Sequence, residues 1–501
     1  MYLRAEDKIW IATGKNGTDP IYLLPKMMTR HGLVTGATGT GKTTTIKVMA
    51  EAFSEMGVPV FMADIKGDVS GLCKPGKPSA SIDERVRSMG IQGFSFTGYP
   101  VNLFDIYGIK GIPVRTTVSS MGPILLSRIL GLNDTQTGVL QIIFKVADDN
   151  GLLMLDFKDL RSMVKYAGDN AKTFTTEYGN IAPASVGAIQ RSLLALESAG
   201  ADRFFGEPAL DLRDWFAYDY LGRGAINILD CVTLFQNPLL YSTFLLWMLS
   251  ELYEMMPEVG DLDKPRMVFF FDEAHLLFTD APKALLQKIE QIIRLIRSKG
   301  IGIYFITQTP SDIPNTVLAQ LGNKVQHALR PYTPNDQKAI KAAAASFRTN
   351  PEFNSETAIC ELSTGEALIS ALDEKGAPQM IRRGFILPPR CDFGVAEPEL
   401  VDRIIRSSPL FTKYSQSYDR YSAYEVLDDM AKRQKQEQEA LAAQRQKEQQ
   451  QQKPKTTTQS KPKPKSSTAS AFDKALASSM SQVGRSVSRE VVRGVFGTIK
   501  K

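Results

Sequence analysis

Gly36-Ala37-Thr38-Gly39-Thr40-Gly41-Lys42-Thr43, GATGTGKT, is the stretch on which the reading of this chain turns. It matches the pattern G-x-x-x-x-G-K-[ST] at every position. Glycines belong there because backbone N–H groups converge on a phosphate only where no Cβ collides with it. The lysine then reaches the β- and γ-phosphates and the Thr43 hydroxyl ligates Mg²⁺. The next helix points its N-terminus, with Thr44 in its first turn, at the anion. A chance glycine-rich turn would not explain what flanks it. The apolar run HGLVT (His31–Thr35) leads in, and Ile46, Met49, Ala50, Phe53 and Met56 form one helical face leading out.

Outward from the loop, the chain alternates short apolar runs with helical periodicity, the pattern of a parallel α/β sheet. VPVFMAD (Val58–Asp64), AINILDCV (Ala225–Val232), MVFFFDE (Met267–Glu273), IGIYFITQ (Ile301–Gln308) and KVQHALR (Lys324–Arg330) are unbroken apolar runs. Runs of that kind suit strands covered on both faces. ALISALDE (Ala367–Glu374) and QMIRRGFI (Gln379–Ile386) read as an antiparallel pair at the sheet edge. MVFFFDE supplies the second half of a phosphate site. Its buried strand ends in Asp272, which suits the Mg²⁺ shell, and in Glu273, placed to activate a water. Gln308, at the end of another strand, suits a γ-phosphate sensor. Asp64, Lys66 and Asp68 in ADIKGD either sit at the mouth of the site or cap a turn. Arginines that stabilise transition-state charge are sought at Arg294 and Arg297, expected on a helix Ala284–Lys299, and at Arg330, expected at a strand end. Arg330 and Arg297 are preferred.

The 501 residues divide into six segments: 1–109 and 221–400 as the core, 110–220 as a helical insertion, 401–453 as C-terminal helices, 454–470 as a Pro/Lys/Ser/Thr linker, and 471–501 as a basic amphipathic helix. NDTQTGVLQIIFKVADDNG in the insertion carries Asn133 or Asp134 as N-cap and Asn150-Gly151 as stop. Charge is asymmetric: residues 431–501 hold 16 Lys/Arg against 5 Asp/Glu, leaving 44 against 49 in residues 1–430. A whole-surface basic footprint for nucleic acid is therefore excluded, and any such contact must use a local channel or the tail. The terminal helix suits a protein partner, another subunit, an anionic membrane surface or nucleic-acid phosphates. The longest apolar stretch, Leu239–Ser250, is shorter than the roughly 20 residues that span a bilayer and reads as a buried helix. The N-terminus does not read as a signal peptide. The four cysteines form no CxxC pair, which argues against a zinc framework and for a cytoplasmic protein.

Asp272–His275 spells DEAH, but the S-A-T and Q-x-x-G-R-x-G-R elements of superfamily-2 helicases are not in the sequence. His275 is read instead as a helix-start residue near the site. Five motifs in order, GATGTGKT, ADIKGD, FFFDEAH, RLIRSKGIGIYFITQTPSDIP and NKVQHALRPYTPNDQKAI, resemble the HerA/FtsK superfamily of P-loop motors, and within it the bacterial HerA-like helicase C-terminal domain family, over about residues 20–430. The resemblance implies a RecA-like P-loop fold, ATP and Mg²⁺ as cofactors, and a hexameric ring of identical subunits with double-stranded DNA in its pore. It also implies Lys42 and Thr43 as the Walker A pair, Asp272 and Glu273 as the Walker B pair, Gln308 as sensor and Arg330 as the trans-acting arginine. The alternative is an ATPase that energises a protein-translocation or membrane-associated machine through its C-terminal tail.

Overall fold

Backbone pairing follows the apolar runs. The computed structural model describes residues 1–451, apart from 15, 16, 18, 199 and 280–282. The expected linker 454–470 and helix 471–501 lie outside the described residues. The described residues form two compact units, one of residues 1–114 with 210–416, the other of residues 115–209 with 417–451.

Among the described residues the first unit holds a single 13-stranded sheet. Its strands are β1 (Tyr2–Leu3), β2 (Lys8–Thr13), β3 (Pro20–Leu23), β4 (Gly32–Thr35), β5 (Val60–Asp64), β6 (Val101–Asp105) and β7 (Ile112–Pro113), followed by β8 (Ile226–Asp230), β9 (Met267–Phe271), β10 (Ile301–Thr307), β11 (Asn323–Gln326), β12 (Glu366–Ser370) and β13 (Arg382–Ile386). The order is β1-β2-β13-β12-β11-β4-β10-β9-β5-β8-β6-β7, with β3 on β2. From β11 through β7 all neighbours are parallel. β12 and β13 pair antiparallel as expected, but not at the edge, because β13 continues onto β2 and the N-terminal strands close that side.

The run MVFFF shows why β9 is central. Strand alternation turns Phe270 to one face, where it meets Phe53 at 6.2 Å and Tyr304 at 5.4 Å. Phe269 turns to the other face, where Phe61 lies 5.5 Å from it and itself stacks on Trp215 at 4.8 Å. Both faces are buried, so the strand has no polar alternation. The helix α1 (Lys42–Glu55) covers the Phe270 face with Phe53, which is fully buried.

Three expected boundaries move. β11 ends at Gln326 rather than reaching Arg330, because Ala328 O turns aside to accept Ala37 N–H at 2.8 Å. The expected helix to Lys299 is a helix Lys283–Leu295 followed by a tighter 3-10 turn Ile296–Lys299, so Arg294 and Arg297 lie on different segments. The sheet unit also takes in residues 210–220, which the sequence reading placed in the insertion, because Trp215 is fully buried against the sheet.

The second unit is helical: Val118–Ile129, Asp134–Asp149, Phe157–Asp169, Ala171–Tyr178, Pro183–Ser198 and Ala423–Gln451. Asn133 is the N-cap, in a reciprocal capping box with Gln136. The segment Ser417–Gln451, expected to stand apart with residues 401–453, belongs to this unit. Buried Asp159 accepts Tyr424 N–H at 2.9 Å, and Lys158 pairs with Asp419 at 2.6 Å and Glu425 at 3.0 Å. No helix among the described residues is long and apolar enough to cross a membrane.

Candidate functional site

Parallel strands deliver their next residues to one edge of the sheet, and the crevice at their carboxyl ends is where ligands of such sheets bind. β4 runs into Gly36, β10 into Gln308, β9 into Asp272, and β5 ends in Asp64. β10 lies between β4 and β9, so the phosphate loop and the Asp272 turn are one strand apart. The structure brings these predicted residues to one edge. A cavity of about 800 Å³ lined by Met56, Phe216 and Arg266 lies elsewhere, at the amino ends of β5 and β9. Volume does not mark the site here; chemistry does.

The loop has the shape its glycines allow. Gly36, Gly39 and Gly41 have φ of 150°, 78° and 118°, a region closed to most side chains. A Cβ on Gly36 would stand 2.5 Å from His327 Cβ. The loop is pinned by Gly36 N–H to Gln308 O at 3.1 Å, Ala37 N–H to Ala328 O at 2.8 Å and Gly365 N–H to Thr40 O at 2.9 Å. Thr38 and Gly39 are exposed at its tip, Thr43 and Thr44 are half-buried at the start of α1, and Lys42 is buried. Lys42 Nζ donates to Gly36 O at 2.6 Å and Ala37 O at 3.1 Å. Burial lowers its pKa, as does the nearby Lys66 charge, while Asp272 and Glu273 oppose the shift.

The Asp272 turn is strained. Glu273 adopts the left-handed conformation, φ 46° and ψ 46°, which a non-glycine residue seldom takes. Its N–H donates to Asp272 Oδ1 at 3.0 Å, and Tyr241 OH donates to Asp272 O at 2.6 Å, anchoring the turn to the helix Pro238–Met255. Burial, then the Glu273 charge, pushes the Asp272 carboxyl up to about 6. Glu273 Oε2 is buried without a hydrogen-bond partner, although His275 Nδ1 lies 3.3 Å away. The residues present fit a nucleotide with its metal: a cradle that a Cβ would fill, a hydroxyl on Thr43 and a carboxylate on Asp272. Among the described residues no set of three or more acidic, His or Cys side chains could hold a metal alone.

The remaining candidates separate. Asp64 caps its turn, accepting N–H groups of Gly67 at 2.7 Å, Asp68 at 3.1 Å and Val69 at 3.1 Å. Lys66, at the tip of that turn, is exposed and close enough for its charge to act on both Lys42 and Asp272. Gln308 is exposed beside the loop. Arg330 is not at a strand end: its guanidinium donates to Cys360 O and, at 3.0 Å, to Leu362 O, the carbonyl end of the helix Ser355–Glu361. Arg297 is half-buried, and its charge acts on buried His31. The sequence reading missed His327. Its motif position, one residue past the β11 core, carried no signal; only the fold places it under Gly36.

Comparison with known proteins agrees with this architecture. A family model described as helicase HerA-like C-terminal matches residues 11–501. A probable helicase of Methanocaldococcus jannaschii is 21% identical over 355 residues, which is 69% of this chain and 60% of that protein. Another from the same organism is 30% identical over 125 residues, 24% of this chain and 22% of that protein. The chain therefore spans between about a fifth and three fifths of the length of these relatives. Among solved structures, the plasmid coupling protein TrwB in complex with ADP and Mg²⁺ superposes with a TM-score of 0.51 at 14% identity, covering 79% of this chain and 93% of that one. With a mostly parallel sheet, a complete phosphate loop and a family match along nearly its whole length, this chain belongs to the HerA-like helicase C-terminal family of P-loop NTPases.

Proposed function

We propose that the protein hydrolyses ATP and works as an oligomeric motor on double-stranded DNA. The observation that carries the reading is the single sheet edge where Lys42 and the phosphate loop stand one strand from Asp272 and Glu273. Loop N–H groups from Thr38 to Thr44 grip the phosphates, Gly36 and Ala37 being tied to Gln308 O and Ala328 O and serving to shape the loop, and Lys42 leaves Gly36 O and Ala37 O to neutralise them. Thr43 and Asp272 would hold Mg²⁺, which when bound would offset charge on the phosphates. Glu273 takes the proton of the attacking water, and Gln308 positions the γ-phosphate. Arg297 and Arg330 are the candidates for stabilising transition-state charge across a subunit boundary; Arg330 must first release Cys360 O and Leu362 O. A hexameric ring and duplex DNA come from the family resemblance.

The basic segment 431–501 favours a second reading, an ATPase coupled to a protein or membrane-associated machine through its tail. Steady-state ATP hydrolysis with and without linear duplex DNA separates the two. Stimulation by DNA is expected, with turnover lost in Lys42→Ala and lowered by a factor of about 10² or more in Glu273→Gln, which still binds ATP. Turnover indifferent to DNA discards the DNA motor and leaves the second reading. No Mg²⁺-dependent turnover by the wild-type chain discards both.

A further inference from the structure

His327 follows β11 and has no part in the chemistry above. Its backbone N–H donates to Thr35 O at 2.7 Å, beside the strand that feeds the phosphate loop. The side chain is fully buried. Nδ1 lies 3.0 Å from Glu366 O, and Nε2 lies 2.8 Å from Thr45 Oγ1. A Cβ on Gly36 would meet His327 Cβ at 2.5 Å, and one on Gly41 would meet its Cε1 at 3.3 Å. One imidazole thus packs on the first and last glycines of the loop while bonding to the first turn of α1 and to β12.

The partners decide the tautomer. Burial, with a smaller contribution from the Lys42 charge, holds the ring's pKa down to about 4, so the ring is neutral near pH 7. A neutral imidazole carries one N–H. A carbonyl only accepts, so Nδ1–H donates to Glu366 O and Nε2 accepts from Thr45 Oγ1–H. With its hydroxyl hydrogen directed at Nε2, Thr45 does not also donate to Gly41 O, which is 3.3 Å away. Glu366 in turn is clamped by Arg383 at 2.7 and 3.1 Å, so the strut ends on a fixed strand.

The geometry points to His327 as a positioning residue for nucleotide phosphates, a strut that sets the spacing of Gly36 and Gly41 and the orientation of the Thr45 turn. The inference rests on the nucleotide reading of the loop. Its own content is that affinity for the diphosphate passes through the His327–Thr45 hydrogen bond.

A double-mutant cycle on the full chain tests it, read as affinity for a fluorescent ADP analogue with Mg²⁺ and as the thermal midpoint of the nucleotide-free protein. His327→Ala and Thr45→Val are each expected to weaken binding about tenfold, the worth of one well-placed hydrogen bond. The double variant should lose no more than the worse single. His327→Gln, whose amide oxygen reaches the Nε2 position, restores affinity; His327→Asn, which reaches only the Nδ1 position, does not. Additive losses, rescue by Asn but not Gln, or wild-type affinity in Thr45→Val overturn the inference. Since His327→Ala opens a buried hole, Thr45→Val and His327→Gln decide the matter if that variant does not fold. A wild-type chain that binds neither ADP nor ATP overturns the nucleotide reading instead.

Discussion

Asp272 carries an opposition between burial and function. Burial and the Glu273 charge push its carboxyl up to about 6, yet holding a cation requires the ionised form. A carboxyl with a raised pKa stays protonated over a wider acidic range, so the metal competes with a proton below that value and is unopposed above it. The Mg²⁺ concentration for half-maximal nucleotide binding is therefore expected to rise about tenfold per pH unit below pH 6 and to be flat above pH 7. Titrating Mg²⁺ into protein with a fluorescent ADP analogue between pH 5 and 8 checks this. A flat profile throughout would mean that Asp272 does not meet the metal. Lys42 is consistent with the same picture, since its Nζ rests on Gly36 O at 2.6 Å, the partner that gives way to a phosphate oxygen in the proposed mechanism. Legibility at this scale was uneven. The placement of Lys42, Thr43, Asp272 and Glu273 at one sheet edge could be read because each is bound to a local pattern. The left-handed backbone of Glu273 could not, since no local motif announces it and the adjoining Asp272 carbonyl is held by Tyr241, 31 positions away.

Elements were legible in proportion to how local their stabilisation is. β4, β9 and β10 appear where their apolar runs predict, because strands buried on both faces leave unbroken hydrophobic sequence. The strands β1 to β3 were not foreseen. Tyr2–Leu3 has two residues, and the apolar runs within the other two strands, Ile9–Ala12 and Ile21–Leu23, are four and three residues long, too short to be told from loop by pattern alone. Their place is decided by β13, whose free edge they cover. Residues 210–220 were assigned to the helical insertion for want of strand signals, whereas Trp215 packs on Phe61 and Phe104 in the sheet unit. Trp215→Ala should then cost about 3–5 kcal/mol, the usual range for emptying a large core site. Urea unfolding followed by far-ultraviolet circular dichroism measures it. A loss below 1 kcal/mol would show that the segment contributes little to that core.

For the whole molecule, charge and compactness part company. The chain up to residue 430 is mildly acidic, and the tail beyond it carries the excess of lysine and arginine. The sheet unit, 1–114 with 210–416, contains every residue of the proposed catalytic set. Deleting 454–501 is thus expected to leave basal ATP turnover within about twofold, because no catalytic group is removed. Stimulation by duplex DNA should weaken and become less salt-sensitive if the lost cations contact phosphates. Turnover measured at 50 and 200 mM salt, with and without DNA, checks both parts. Collapse of basal turnover would place the tail in the catalytic cycle, and unchanged stimulation would place the DNA contacts in the body.

The sequence alone determined the class of fold, the phosphate loop and the acidic turn, because glycine placement, an apolar strand and a periodic helix are short-range devices. Tertiary structure decided the rest. Thr45 and His327 stand 282 positions apart, and Gly365 meets Thr40 only after β12 has come to lie beside β11. Arg330 is engaged by carbonyls near residues 360 and 362, and Lys66 reaches the site only through the Asp64 turn. Contacts of that separation leave no periodicity along the chain: they depend on which strands the sheet makes neighbours, and strand order is set by the packing of both faces together.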